Sequence, residues 1–210
     1  MKLPEKSSLP DPNSIPPLKS EFFQRDTVTV ARELLGKGLF LRNRKHSFLC
    51  EIVEVEAYLP QNDEASHSFK GPTPRNQSMF EVGGTAYVYL IYGMYWCVNV
   101  VTEPKGTGAA VLLRAAIPLL GLKEMQKNRG LKPASSERSL LSGPGKLTQA
   151  LNINRSYDGV KFNQADFKII DLGKVLGESD ISSSPRIGIS KAQDRPLRFF
   201  VKNSPWLSKQ

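Results

Sequence analysis

At 210 residues with 40% apolar content, the chain is long enough for one domain with a substantial core. Its 29 Lys and Arg against 20 acids leave +9 and a pI near 9.6, which suits a polyanionic partner, nucleic acid above all. No apolar run reaches the ~18 residues of a membrane span, and two cysteines, Cys50 and Cys97, fit a reducing compartment and buried thiols better than a disulfide framework.

Residues 1–20 hold five of the fifteen prolines, several serines and few large apolar residues. Such a segment cannot offset its ordering entropy and is expected to be a flexible tail before a single domain over 21–210. It has no apolar h-region and reads as no signal peptide, so the expected location is cytoplasmic, with the nucleoid or nucleus as the alternatives for a DNA partner. Asp26 sits where an N-cap belongs, Val30, Ala31, Leu34 and Leu35 share a face, and Gly36 stops that helix. Strands are expected near Leu39–Arg42 and Phe48–Tyr58. In the second, strict alternation puts Ile52, Glu54 and Glu56 on one face and Val53, Val55 and Ala57 on the other.

Two carboxylates at i and i+2 on a strand lie ~6.5–7 Å apart. That spacing suits an acid and a base across a glycosidic bond, or two ligands of a divalent metal with Asp63 and Glu64 in reserve, or simply a solvated strand face. Glu56, at the end of the apolar run, is the better placed of the two. From Leu59 to Glu81 runs a polar loop of a length that is usually functional; it carries His67 and Arg75, the latter a candidate phosphate contact. His46, His67, Cys50 and Cys97 lack any zinc-ligand spacing, and no metal is expected.

Thr85–Tyr92 and Tyr95–Thr102 around Gly93-Met94 read as a hairpin, with Tyr92, Met94 and Tyr95 at its tip. Tyrosines in a hairpin ordinarily pack inward. A projecting apolar tip in a basic chain is also the wedge that minor-groove binders push between base steps. AAVLLRAA reads as a buried strand with one charge, Arg114, which needs a partner such as Glu56 or a site to face. Pro118 is expected to open a helix through LLGLKEMQKNRG, and Gly143-Pro144 a second one. Between Lys123 and Lys146 lie six basic residues and two acids, and a helix start beside Lys146 can bind phosphate. Further strands are expected near 167–171, 186–190 and 197–202. The fold class is α+β, one domain with mostly antiparallel pairing.

VEVEAY, ASHS, TPRN, MF, YVYLIYGMYWCVN, VLLRA, SGPGKL, and PLRFFV followed by SPW stand in this order over roughly residues 20–207. Together they closely resemble the alkyladenine (3-methyladenine) DNA glycosylase family. The resemblance implies a curved antiparallel sheet with surrounding helices and a protruding hairpin that enters the DNA minor groove. It implies a monomer acting on double-stranded DNA that carries damaged purines, with hydrolysis of the N-glycosidic bond of a flipped base and no cofactor. By position, Glu56 resembles the residue that deprotonates the attacking water, with Arg114 and the Ile187 carbonyl as its companions. Tyr58, His67 and Tyr89 resemble the walls around the extruded base, and Asn99 the filter against guanine. Tyr92, with Met94 beside it, resembles the side chain that fills the vacated stack; Arg75, Arg129 and Lys146 fall where DNA contacts are made. Glu54 then has a structural role. The competing readings are a non-catalytic nucleic-acid-binding module and a metal-dependent nuclease using Glu54, Glu56, Asp63 and Glu64.

Overall fold

The structure, a computed structural model, describes residues 11–132 and 135–209. Its centre is β2 (Ser47–Tyr58), a twelve-residue strand with apolar side chains on both faces and therefore covered on both. Beside it run β1 (Gly38–Arg42) and β5 (Ala109–Leu120), both antiparallel to it. The hairpin of β3 (Ala86–Ile91) and β4 (Tyr95–Thr102) extends the sheet past β5. β6 (Asn163–Gln164) and β7 (Phe167–Ile170) extend it past β1, and β8 (Ile181–Ser184) pairs with β9 (Arg198–Val201).

The far half of β2 leaves β1 and takes β9 as its neighbour, Glu54 opposite Phe200 and Glu56 opposite Arg198. The exchange coincides with register shifts between β2 and β5 on either side of Glu54. A bulge of this kind bends the strand and curls the sheet. It also corrects the strict alternation expected of β2. Ile52 packs with Val55 and Ala57 in the main core, whereas Val53 belongs to a second cluster across the sheet. The extra residue flips the parity, so Glu54 and Glu56 face away from the main core, toward Arg114 of β5.

The main core lies between the sheet and its helices. α1 (Ser20–Phe23) buries Phe23, and α2 (Thr27–Leu34), capped by the Asp26 carboxylate on the Thr29 N–H at 2.9 Å, buries Val30, Ala31 and Leu34. α3 (Leu122–Asn128) and α4 (Pro144–Leu151) complete the layer, α4 opening with Gly143 and Pro144 as expected. Pro118 does not open a helix. It lies within β5 opposite Cys50, at a register shift where its missing N–H is tolerated. Residues 186–190 form no strand but a loop that turns at Gly188 (φ +77°).

Half of the expected flexible tail lies outside the described residues, and the other half is docked. The Leu18 N–H donates to Ile169 O at 2.8 Å, Lys168 Nζ to Ile15 O at 2.7 Å, and Ile15 packs on the second cluster. Ile15 and Leu18 supply enough apolar anchor for an otherwise Pro-rich segment. Among the described residues no helix is long and apolar enough to cross a membrane.

Candidate active site

Across the sheet from the main core, Tyr87, Tyr89 and Ile91 of β3, Cys97 of β4 and Leu112 of β5 share one face, because residues two apart in a strand point the same way. A cavity of about 500 Å³ opens over them. Tyr58, His67, Tyr89, Tyr92 and Tyr95 line it, with Arg114 on its floor and Pro144-Gly145 of α4 on one side. His67 stands edge-on to Tyr89 with ring centroids 4.6 Å apart, and its Nδ1 meets the Tyr87 hydroxyl at 2.8 Å. Burial, helped by the Arg75 charge, lowers the His67 pKa and keeps its ring neutral at pH 7. Cys97 supplies no nucleophile: burial pushes its thiol up to about 11.

Glu56 lies fully buried beneath the cavity floor. Its Oε1 accepts the Ile187 N–H at 2.7 Å; its Oε2 accepts the Tyr58 hydroxyl at 3.0 Å and lies 3.2 Å from Arg114 Nη1. Ile187 therefore meets Glu56 through its amide, on the bend of the 186–190 loop. Burial, followed by the negative charge of Glu56, pushes the Tyr58 phenol well up, so it stays protonated and donates to the carboxylate.

Glu54 is buried too, on four donors. Arg114 Nε lies at 3.0 Å, Arg198 Nε at 2.8 Å, and the Ser208 hydroxyl and N–H both at 2.6 Å. Burial alone would raise the Glu54 pKa; the Ser208 hydrogen bonds and the two guanidinium groups outweigh it and hold the carboxyl below its usual range. Arg114 thus bridges the two carboxylates, which answers the question its sequence position raised.

Two loops wall the cavity, and one buried ion pair joins them. Asp63 takes Arg186 bidentately at 2.6 and 2.7 Å, with both side chains sealed from solvent. It also accepts the Leu59 N–H at 2.9 Å, and Arg186 lies 4.7 Å from the Tyr58 ring centroid. Neither the pair nor the Ser208 contact carries a sequence signal, since Asp63 and Arg186 stand 123 residues apart. The four acids of the metal reading are each ion-paired: Glu54 and Glu56 share Arg114, with Arg198 also on Glu54, while Asp63 pairs with Arg186 and Glu64 with Lys191.

At the hairpin tip Tyr92 is 78% and Met94 66% exposed. Tyr92 and Gly93 both have positive φ (53° and 69°), and the Met94 N–H donates to Ile91 O at 3.2 Å. A mirror-image hairpin turn requires that conformation, which a bulky aromatic rarely adopts, so strain is held at the tip. Tyr92 lines the cavity, whereas Met94 turns to a separate hollow with Trp96, Asn128 and Gln149. Asn99 does not line the cavity. It is 3% exposed, deeper along the same face as Cys97, and its Nδ2 donates to Tyr87 O at 2.9 Å. Arg75 reaches the hairpin's edge, Nη2 to Leu90 O at 2.9 Å. Arg129 bonds Gln149 at 2.8 Å, and its buried Nε has no partner among the described residues. Lys146 is exposed on α4, 3.3 Å from Ser142 Oγ.

The family model for methylpurine-DNA glycosylase matches residues 21–205. The chain belongs to that family. A protein of Methanoculleus marisnigri is 45% identical over 92% of this chain and 99% of its own length. One from Rhodopseudomonas palustris (strain HaA2) is 46% identical over 96% of this chain and 95% of its own. Another, from Carboxydothermus hydrogenoformans, is 43% identical over 92% and 99%. Each is named "Putative 3-methyladenine DNA glycosylase". Membership makes the chain an enzyme, a DNA glycosylase.

Proposed function

We propose that the protein binds duplex DNA as a monomer, takes a purine of the 3-methyladenine type out of the stack, and hydrolyses its N-glycosidic bond with a water activated by Glu56. The lesion class follows the names of the relatives. One observation carries the mechanism: a fully buried carboxylate with three donors, Tyr58, Arg114 and the Ile187 amide, lies under an aromatic cavity with ample room for a purine. A base cannot be reached inside the duplex, so the enzyme must extrude it, and Tyr58, His67 and Tyr89 recover stacking for the flipped ring. Electron-rich rings favour a cationic alkylated adenine over a normal base.

In the chemical step the water oxygen forms a bond to C1′ of the sugar while the bond from C1′ to the purine nitrogen breaks. The electron pair leaves with the purine, so a cationic lesion departs as a neutral base. The water's proton passes to Glu56, and the carboxylate charge stabilises the oxocarbenium-like centre meanwhile. Arg114 and Tyr58 keep the carboxylate aimed. The Ile187 carbonyl is the proposed third contact of the water, and Asn99 acts on the guanine amino group only through the Tyr87 backbone it supports. Arg75, Arg129 and Lys146 take phosphates.

The deciding assay incubates duplexes carrying 3-methyladenine, hypoxanthine or ethenoadenine with the protein in excess EDTA. The expected products are free base and an abasic strand that breaks only after alkali. Retarded DNA with no released base would make the chain a binding module; scission that needs magnesium and no alkali would make it a nuclease.

Tyr92 has a separate test. Its exposed, strained position at the tip is that of a plug for the vacated stack. Tyr92→Ala is expected to slow excision from a paired lesion roughly tenfold, the scale of one lost aromatic stack. The loss should be much smaller on single-stranded substrate, where no gap needs filling. Equal losses on both substrates would leave Tyr92 a cavity wall only.

A further inference from the structure

The last described residues run under the proposed catalytic groups, beyond the segment that the family model matches. Trp206 is buried in the second hydrophobic cluster with Val53 and Ala115, and Leu207 packs beside it. Arg138 Nε donates to Pro205 O at 2.8 Å and Arg198 Nη2 to Lys209 O at 2.6 Å, so the segment is fixed on both sides of Ser208. Ser208 is thereby delivered to the buried acid–base network. Its N–H donates to Glu54 Oε2 and its hydroxyl to Glu54 Oε1, both at 2.6 Å, while Ser208 Oγ accepts from Arg114 Nη2 at 3.2 Å.

Arg114 consequently has each guanidinium nitrogen assigned to a different oxygen: Nε to Glu54, Nη2 to Ser208, Nη1 to Glu56. A planar guanidinium fixed at two nitrogens has its third direction fixed as well. We propose that Ser208 is a positioning residue of the glycosylase reaction, setting through Glu54 and Arg114 the angle at which Glu56 meets its water. The inference rests on the mechanism proposed above. It names a residue outside the matched segment 21–205, on a part of the chain with no contact to the cavity.

Without the hydroxyl, Arg114 Nη2 loses its acceptor while Glu54 keeps Arg198 and the Ser208 amide, so the fold retains most of its contacts. Small errors in aim cost rate rather than affinity, and a misplacement near 1 Å can cost ~100-fold. Ser208→Ala, Ser208→Thr and the parent protein would be compared in single-turnover excision of 3-methyladenine, in binding to lesion duplex, and in thermal unfolding. Ser208→Ala is expected to slow the chemical step about tenfold, one order short of that limit, with lesion affinity held within about twofold. Ser208→Thr, which keeps a hydroxyl, is expected to recover most of the rate. A parent-like rate in Ser208→Ala would overturn the positioning role, as would a loss that Thr does not rescue or that tracks lost folded protein. A parent protein that releases no base would refute the underlying mechanism instead, and the two failures are thereby distinct.

Discussion

Glu56→Gln is expected to cut base release at least ~100-fold, the scale of lost general-base help, while affinity for lesion duplex stays close to that of the parent. The variant keeps the size of the side chain and one carbonyl-type acceptor for the Ile187 N–H or the Tyr58 hydroxyl. On the proposed mechanism it removes both the basicity that would take the water's proton and the negative charge that would face the developing cation. Arg114 keeps Glu54, so the guanidinium is not left unpaired, and the loss of stability should be smaller than for Glu54→Gln, which strips Arg198 of its carboxylate as well. The proposed DNA contacts, Arg75, Arg129, Lys146 and the hairpin tip, are not among the partners of Glu56, which are Tyr58, Ile187 and Arg114. Single-turnover excision and a binding titration on the same 3-methyladenine duplex check both halves. Retained release would hand the base role to another group, and lost binding would make Glu56 structural.

Much of this site was legible in the sequence because its parts are local patterns. The hairpin announces itself by β-branched and aromatic runs around Gly93, and α4 by Gly143-Pro144. Arg114 in an apolar strand demands a partner on cost alone, and it has two. What stayed hidden depends on distant pairing. The bulge at Glu54 arises where β2 exchanges β1 for β9, a change no single strand records. Strict alternation therefore put Ile52 beside the acids, when it faces the opposite way. Asp63 looked like a spare loop acid, and only the fold supplies Arg186. Pro-rich composition pointed to a loose tail, yet two apolar side chains and an edge carbonyl at Ile169 suffice to dock residues 15–18.

Glu54→Gln is expected to act first on stability, by about 3–5 kcal/mol at neutral pH, the cost of breaking a buried ion pair from one side. Two guanidinium groups, Arg114 and Arg198, would lose their shared anion, and the new amide would turn a donor toward at least one of four existing donors. For a domain of this length that is a drop in melting temperature of ~10 °C or more. The pH dependence gives the charge its own signature. The folded state holds the Glu54 carboxyl below its ordinary 4.5, so its contribution is complete above that value and lost as pH falls through the lower folded value. The gap in melting temperature between parent and Glu54→Gln should therefore be widest near neutrality and close progressively below about pH 4.5. Thermal unfolding of both proteins across pH 3–7 measures it. At a temperature where both remain folded, Glu54→Gln should retain more excision activity than Glu56→Gln, since it touches no reacting atom and acts only on the aim of Arg114. Equal melting temperatures at pH 7 would show that Arg198 and Arg114 find other partners. Equal loss of activity in the two variants would return the mechanism to a shared pair of carboxylates.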